Sequence, residues 1–287
     1  MLDWENLHYF AVFSHEKSLS AAARKLGVDH ATVARRIAAL ESSLQLKLVD
    51  RRPRAYVLTV DGERIASIAD QMVEGAFSIG RIAKAGQQSI SGEVSISVPP
   101  ATAANFIVPH LAKLRQQYPN ILLSMIAETR IASLPHGEAD IAVRLSRPTE
   151  DDLVARRIGI MPFAFYAAPD YLAKTKPEDY VFIELDSSLV QSVQQRWLSA
   201  HLADRPIVLR TNSPEIQRIA ACAGVGVAVL PYFLGELGGL ARVSLGDGGL
   251  EREIWLAVHQ DLHNTPAVRA VMDFLVDCFM QPDSHQI

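Results

Sequence analysis

The chain has 287 residues, 49 % of them hydrophobic and 21 % charged, with a formal net charge of −4. That length favours two or three domains, the composition is that of a globular protein, and two cysteines are too few for a disulfide-stapled scaffold. No apolar run approaches the roughly 18 residues a membrane helix needs. The N-terminus "MLDWENLHYFAVF" carries acids where a secretory leader has bases, so a reducing cytoplasm is the expected compartment.

Charge is unevenly spread. Residues 1–60 hold nine Lys/Arg against six Asp/Glu, a net +3 in front of a body of −7, which suggests a polyanion-binding module at the front. In that segment Leu7, Phe10, Ala11 and Phe13 recur at helical spacing. "SLSAAARKLGV" follows: Ser18 or Ser20 can cap a short helix, Ala22, Ala23 and Leu26 face inward, and Gly27 ends it. Asp29 then caps a third helix whose buried stripe is Val33, Ile37 and Leu40. A short alanine-rich helix, a glycine turn and a second helix make a helix-turn-helix.

With that stripe inside, Arg35 and Arg36 are expected to point outward, and His30, Ala31, Thr32 and Ala34 to lie near the same open surface, which enters a DNA major groove. Arginine reads guanine edges bidentately or holds phosphates, and alanine permits close approach. Ser20 joins these as a candidate contact. Lys47–Val49 and Ala55–Leu58 read as a hairpin wing around "DRRPR", with Arg51, Arg52 and Arg54 reaching the backbone or minor groove. Thr59 caps a long helix in which Ile65, Ile68, Met72, Ala76, Ile79 and Ala83 form a heptad-like seam. A second copy of the chain is its economical partner.

The segment "LHYFAVFSHEKSLSAAARKLGVDHATVARRIAALESSLQLKLVDRRPRAYVLTVDGE" resembles the DNA-binding domain of LysR-type transcriptional regulators. The matching pieces are the early aromatic, the "S-L-S-A-A-A" second helix, "V-A-R-R-I-A-A-L-E" and "L-T-V-D-G". Asp29-His30 stands where the family commonly has Ser-Gln, Ala34 where it has Ser, and "LVDR" replaces "L-F-x-R". These departures bear on base preference rather than on the fold, because Asp29 can still cap.

After "GQQSISG", β and α segments alternate, implying layered α/β structure with a mostly parallel sheet. Strands are expected at Glu93–Val98, Ile121–Ala127, Ile141–Leu145, Phe163–Ala168, Val181–Leu185, Ile207–Thr211, Val225–Leu230 and in "EREIWLAVHQ". Helices are expected at Asn105–Tyr118, Ile131–Gly137, Pro169–Lys174, Gln191–Leu202, Pro214–Ala223 and from Pro266 to Phe279. "VSISVPPATAANFIVPHLAKLRQQYP", "ADIAVRLSRP", "FYAAPDYL" and "AGVGVAVLP" resemble the same family's effector domain, which is similar to periplasmic binding proteins. The resemblance implies a winged helix-turn-helix over 1–60, a linker and dimerisation helix with hinge over 61–91, and an effector domain over 92–287. The first lobe takes 92–161 and 264–287, and the second 162–263.

Strand ends and helix N-termini point into the crevice of such a fold and favour an anion, here a small carboxylate. Pro100, Ala101, Thr102, Asn212 and Ser213 occupy two of those junctions, and Glu128, Thr129 and Arg144 lie just beyond strand ends. Other patterns carry less. "HQDLH" sets His259, Asp261 and His263 at alternate positions without a fourth metal ligand, "HGEAD" reads as the polar turn ending a short helix, and the glycines of "AGVGVAV" join helix to strand, not strand to helix. Trp4 and Trp197 read as packing residues, and Cys222 and Cys278 as buried and inert. No catalytic nucleophile, metal or cofactor motif is evident. The expected partners are operator DNA, further copies of the chain in a homodimer or homotetramer, a small anionic effector and RNA polymerase, with no membrane. The rival readings are a solute-binding protein and an α/β enzyme with a helical appendage; turnover of the ligand separates the latter from a regulator.

Overall fold

The computed structural model describes residues 2–52, 55–86, 89–130, 132–186, 189, 192–202, 204–246 and 249–280. They form two compact units, Met1–Ala83 and Lys84–Ile287. No described helix is long and apolar enough to cross a membrane.

In the first unit α1 (Trp4–Glu16) is capped by Asp3, whose carboxylate accepts from the Glu5 amide at 2.9 Å. Ser18, rather than Ser20, caps α2 (Leu19–Leu26) by accepting from the Ala21 amide at 3.4 Å. Gly27 ends α2 at φ +66°, a conformation that suits a residue without Cβ. Asp29 opens α3 (His30–Leu44), accepting from the Thr32 amide at 2.7 Å and the Thr32 hydroxyl at 2.9 Å. Val33, Ile37 and Leu40 are buried with Leu7, Phe10, Phe13, Ala22 and Ala23, and each large aliphatic contributes roughly 1.5–3 kcal/mol by leaving water.

The wing is an antiparallel pair, β1 (Val49–Arg52) and β2 (Ala55–Leu58). The first strand starts later than the expected Lys47. Glu41, only 8 % exposed, turns its carboxylate onto the amides of Leu48 and Val49, and the Lys47 carbonyl accepts from the Thr59 hydroxyl at 2.6 Å, so these groups hold the approach instead of a ladder. Thr59 also caps α4 (Val60–Ala85), accepting from the Gly62 amide at 2.9 Å. A Cβ on Gly62 would lie 2.1 Å from the Leu48 carbonyl oxygen, which explains a glycine at that place in "LTVDG". Along α4, Ile68, Met72, Ala76 and Ile79 are exposed, whereas Ile65 packs on the core with Ala69 and Val73. Trp4 is 43 % exposed, contrary to its reading as a packing residue; it stacks on His8 near the start of α1.

The second unit is built on one nine-stranded sheet. Its strands are β3 (Gly92–Val98), β4 (Ile121–Ala127), β5 (Ile141–Arg144), β6 (Leu153–Ala167), β7 (Phe182–Leu185), β8 (Ile207–Thr211), β9 (Val227–Pro231), β10 (Ala241–Val243) and β11 (Leu250–His259). Their order is β4-β3-β5-β11-β6-β9-β7-β8, with β10 beside β6. The pairs of β3 with β4 and β5, and of β7 with β8 and β9, are parallel. The central pairs are antiparallel, so the sheet is mixed rather than mostly parallel. The reason is that the chain crosses between the two parallel groups twice, on β6 and on β11, and these strands pair with each other along Leu153–Phe163. β11 already pairs with β5 over Trp255–Val258, so the return into the first group lies at the irregularity between Ile254 and Trp255, earlier than the expected 259–264.

Helical chain starts at Pro100, five residues before the expected Asn105: α5 (Pro100–Thr102) leads through a π-turn over Ala103–Ile107 and a 3-10 turn into α6 (Leu111–Gln117). The helix expected over 131–137 is instead a turn at Leu134–Gly137; Pro135 disfavours helical backbone before it, and Glu138 folds back to accept from the Ser133 amide at 2.8 Å. α7 (Pro169–Lys174), α8 (Val193–Leu202), α9 (Pro214–Cys222), the unexpected α10 (Tyr232–Leu237) and α11 (Pro266–Met280) complete the unit. α11 packs on β3 and the π-turn, with Phe279 stacked on Phe106 at 5.3 Å. Gly226 sits where a Cβ would meet the Val181 carbonyl at 2.7 Å, so close strand packing demands this glycine of "AGVGVAV". Trp197 stacks on Phe165 at 4.3 Å. Cys278 is buried, but Cys222 is exposed, because it sits on the last, outward turn of α9.

Candidate DNA-binding surface and effector cleft

The two arginines of α3 have different surroundings. Arg35 is exposed with His30 and Ala31 on the first turns of the helix. Arg36, one residue on, is rotated about 100° around the axis and folds onto α1. Its guanidinium lies 2.8 Å from Glu5, donates to the Asn6 side chain at 3.3 Å and covers the Tyr9 ring at 5.6 Å. Its Nε is buried with no acceptor among the described residues. The expectation that both arginines face outward is therefore corrected for Arg36, which ties α3 to α1.

Thr32 is half-buried and its hydroxyl is spent on Asp29. Ala34 turns toward the wing, sharing a small crevice with Phe13, Glu41 and Tyr56. Ser20 is exposed. Arg52 is exposed at the wing, its Nε donating to Asp50 at 3.0 Å. Arg54 and the side chain of Arg51 lie outside the described residues. Hydrogen bonds from the Thr32 amide, and then from its hydroxyl, hold the Asp29 carboxyl below the usual range, so the cap is ionised at neutral pH.

In the second unit, Pro100, Ala101, Glu128, Thr129, Asn212 and Ser213 come together around one cavity of about 350 Å³. The ends of β3, β4 and β8 supply them, as the strand-end rule leads one to expect. Two expected residues do not line it. Thr102 is 2 % exposed, because the chain turns helical at Pro100 and carries that side chain inward. Arg144, 8 % exposed, donates to the Ala132 carbonyl and pairs with Glu150 at 3.3 Å, fixing the turn after β4.

Four further lining residues were missed: Ala127, Arg130 and Pro214, each next to a residue the sequence had singled out, and Glu215 one position beyond. Arg130 pairs with Glu138 at 2.7 Å and with Glu128 at 3.3 Å, and these carboxylates, Glu138 first, raise its pKa. Arg218 grips Glu215 through Nε at 3.1 Å to both oxygens and holds that carboxyl below its usual range. Ser213 caps α9 by accepting from the Ile216 amide at 3.3 Å. The walls thus combine apolar surface with three charged groups whose own partners hold them in place, an arrangement that binds and orients a small molecule.

His259 is 3 % exposed between Asp152 at 3.2 Å and Asp261 at 3.3 Å. Because β11 ends at His259 and a turn follows, "HQDLH" does not form a common strand face.

The comparisons with known proteins agree with this architecture. Residues 4–63 match the "Bacterial regulatory helix-turn-helix protein, lysR family" description, and residues 87–279 match "LysR substrate binding domain". The chain is 27 % identical over 288 residues to the Mau operon transcriptional activator of Paracoccus denitrificans, covering 98 % of both proteins. It is 31 % identical to an HTH-type transcriptional regulator of Xanthomonas campestris pv. campestris, covering 93 % of this chain and 83 % of that one. The fold is shared with full-length AphB, a virulence activator of Vibrio cholerae, at a TM-score of 0.59 and 24 % identity, covering 97 % of this chain and all of that one. It is shared too with CrgA of Neisseria meningitidis, at a TM-score of 0.56 and 22 % identity over 96 % of this chain and 99 % of that one. With both of its parts matched, the chain belongs to the LysR family of transcriptional regulators, carrying a DNA-binding helix-turn-helix and an effector-binding domain.

Proposed function

We propose that the exposed first turns of α3, led by Arg35 and His30, read operator DNA while the wing arginines hold phosphates. The single observation that carries this reading is the contrast in α3: Arg36 is neutralised by α1, whereas Arg35 is exposed on the helix's open face with no acidic partner among the described residues. Phosphate neutralisation supplies most of the affinity and base contacts the specificity. The exposed Ile68, Met72, Ala76 and Ile79 of α4 support a homodimer or tetramer built on that seam, presenting paired heads to a two-fold operator.

The effector binds in the cavity lined by Ala101, Thr129 and Ser213 and is a small acidic metabolite, with no chemistry performed on it. It acts by preferring one arrangement of the effector domain, since a ligand shifts an equilibrium only through differential affinity. RNA polymerase is a further partner on the promoter. The test is electrophoretic mobility of DNA flanking the chain's own gene, with and without candidate metabolites. A shift that responds to a metabolite, which is recovered unchanged, supports the reading; indifference to every promoter fragment, or turnover of the ligand, sinks it.

A further inference from the structure

Arg252 on β11 lies beside the crossover irregularity at Ile254/Trp255. Its Nε donates to the Leu145 carbonyl at 3.1 Å, just past the end of β5, and its Nη1 donates to the Gln194 side chain in the first turn of α8. Both acceptors are neutral. Arg130, Arg144, Arg218 and Arg242 of the same unit each lie within 4 Å of a carboxylate, yet Arg252 has none among the described residues. Burial alone acts on this guanidinium, lowering it to about 10, so it stays charged at neutral pH. Arg252 is half-buried, and a partly desolvated cation held only by neutral acceptors is suited to take up an anion. A guanidinium has five donors in a planar fork shaped for an oxyanion; those on Nη2 have no acceptor among the described residues.

The location adds a second reason. β5 belongs to the first parallel group, and α8 follows β7 of the second. Leu145 and the approach to α8 are both on the C-terminal side of parallel strands, where ligands of such sheets lie. We infer that Arg252 receives the acidic group of the effector, exchanging the neutral Gln194 contact for a charged one and so linking ligand binding to the joint between the two strand groups. This inference rests on the reading that an acidic effector occupies the cleft. It assigns the anion to a half-buried fork on the crossover strand, not to the helix ends.

The test uses the full chain. Thermal midpoints are measured against sulfate, phosphate, acetate, malonate and succinate, at ionic strength held constant with chloride, for the wild type, Arg252→Gln, Arg252→Lys and Ala101→Trp, the last filling the cavity. At least one anion is expected to raise the wild-type midpoint saturably. Arg252→Gln is expected to weaken that apparent affinity roughly tenfold or more, the scale of losing a hydrogen bond between charged groups. Arg252→Lys falls between, because it keeps the charge and loses the fork. Loss in both Arg252→Gln and Ala101→Trp supports the inference; loss in Arg252→Gln alone marks an anion site outside the cavity and overturns its assignment to the effector. Loss in Ala101→Trp alone keeps the cleft reading and overturns the role of Arg252. A saturable response untouched by either substitution overturns both. No saturable response in the wild type overturns the inference, leaving the cleft to be screened with neutral and cationic metabolites. If Arg252→Gln has lost its native circular dichroism before any anion is added, Arg252→Lys carries the comparison, and wild-type affinity in that variant overturns the inference.

Discussion

Replacing the adjacent arginines of α3 one at a time separates recognition from folding. Arg36→Ala removes a 2.8 Å pair with Glu5, a 3.3 Å hydrogen bond to Asn6 and coverage of the Tyr9 ring. A partly exposed ion pair contributes about 0.2–1 kcal/mol and a solvated cation–π contact about 0.5–1 kcal/mol, so the loss is about 1–2 kcal/mol of head stability. Arg35→Ala removes no hydrogen bond or ion pair among the described residues but a base or phosphate contact of about 1–3 kcal/mol per head, or roughly thirtyfold and upward when both heads of a dimer lose it. Fluorescence anisotropy on a promoter fragment across a salt series reads the affinity, and circular dichroism melting reads the stability. Arg35→Ala is expected to weaken binding with an unmoved melting midpoint, whereas Arg36→Ala lowers the midpoint of the N-terminal unit. Wild-type operator affinity of Arg35→Ala at moderate salt would refute the assignment. So would a melting loss confined to Arg35→Ala.

Three more outcomes follow from local geometry. Glu41→Gln weakens two charge-assisted bonds to the Leu48 and Val49 amides and costs the N-terminal unit about 2 kcal/mol at neutral pH. Burial raises the Glu41 carboxyl, but those amides and Lys47 together outweigh it and hold it low. Its contribution is therefore present above the unfolded carboxyl's value of about 4.3 and is lost as pH falls through the lower folded value, so the two melting curves should converge in acid and a constant gap would count against this account. Gly62→Ala forces a Cβ to within 2.1 Å of the Leu48 carbonyl oxygen; a loss of about 3 kcal/mol in the same unit is expected, and an unchanged melt would show that the wing and α4 are not in that contact. A thiol reagent should modify exposed Cys222 in the native protein and reach Cys278, whose thiol burial pushes up to about 12, only on unfolding; two native-state thiols would contradict the packing of α11.

Much was legible in the sequence where a local chemical device sets the outcome. Asp29, Thr59 and Ser213 cap helices whose side chains and first amides lie three residues apart, a geometry that neighbours in the chain fix by themselves. The Val33–Ile37–Leu40 stripe and the 3.6-residue period assigned the inner face of α3, and Pro100 and Pro214, Glu128 and Ser213 marked the ends of elements that meet at the cavity. What only tertiary structure decided were matters of partnership between distant residues. Arg36 has the same outward prospects as Arg35 in the sequence, and only α1 crossing nearby supplies Glu5 and Asn6 to capture it. Thr102 became buried because the helix began at Pro100 against the core. The first half of β6 shows no apolar run, and it is a strand because β11, about a hundred residues later, pairs with it. Arg252 is one cation among 28 in the sequence; its lack of an acidic partner among the described residues is a property of the space around it, and space is what the fold creates.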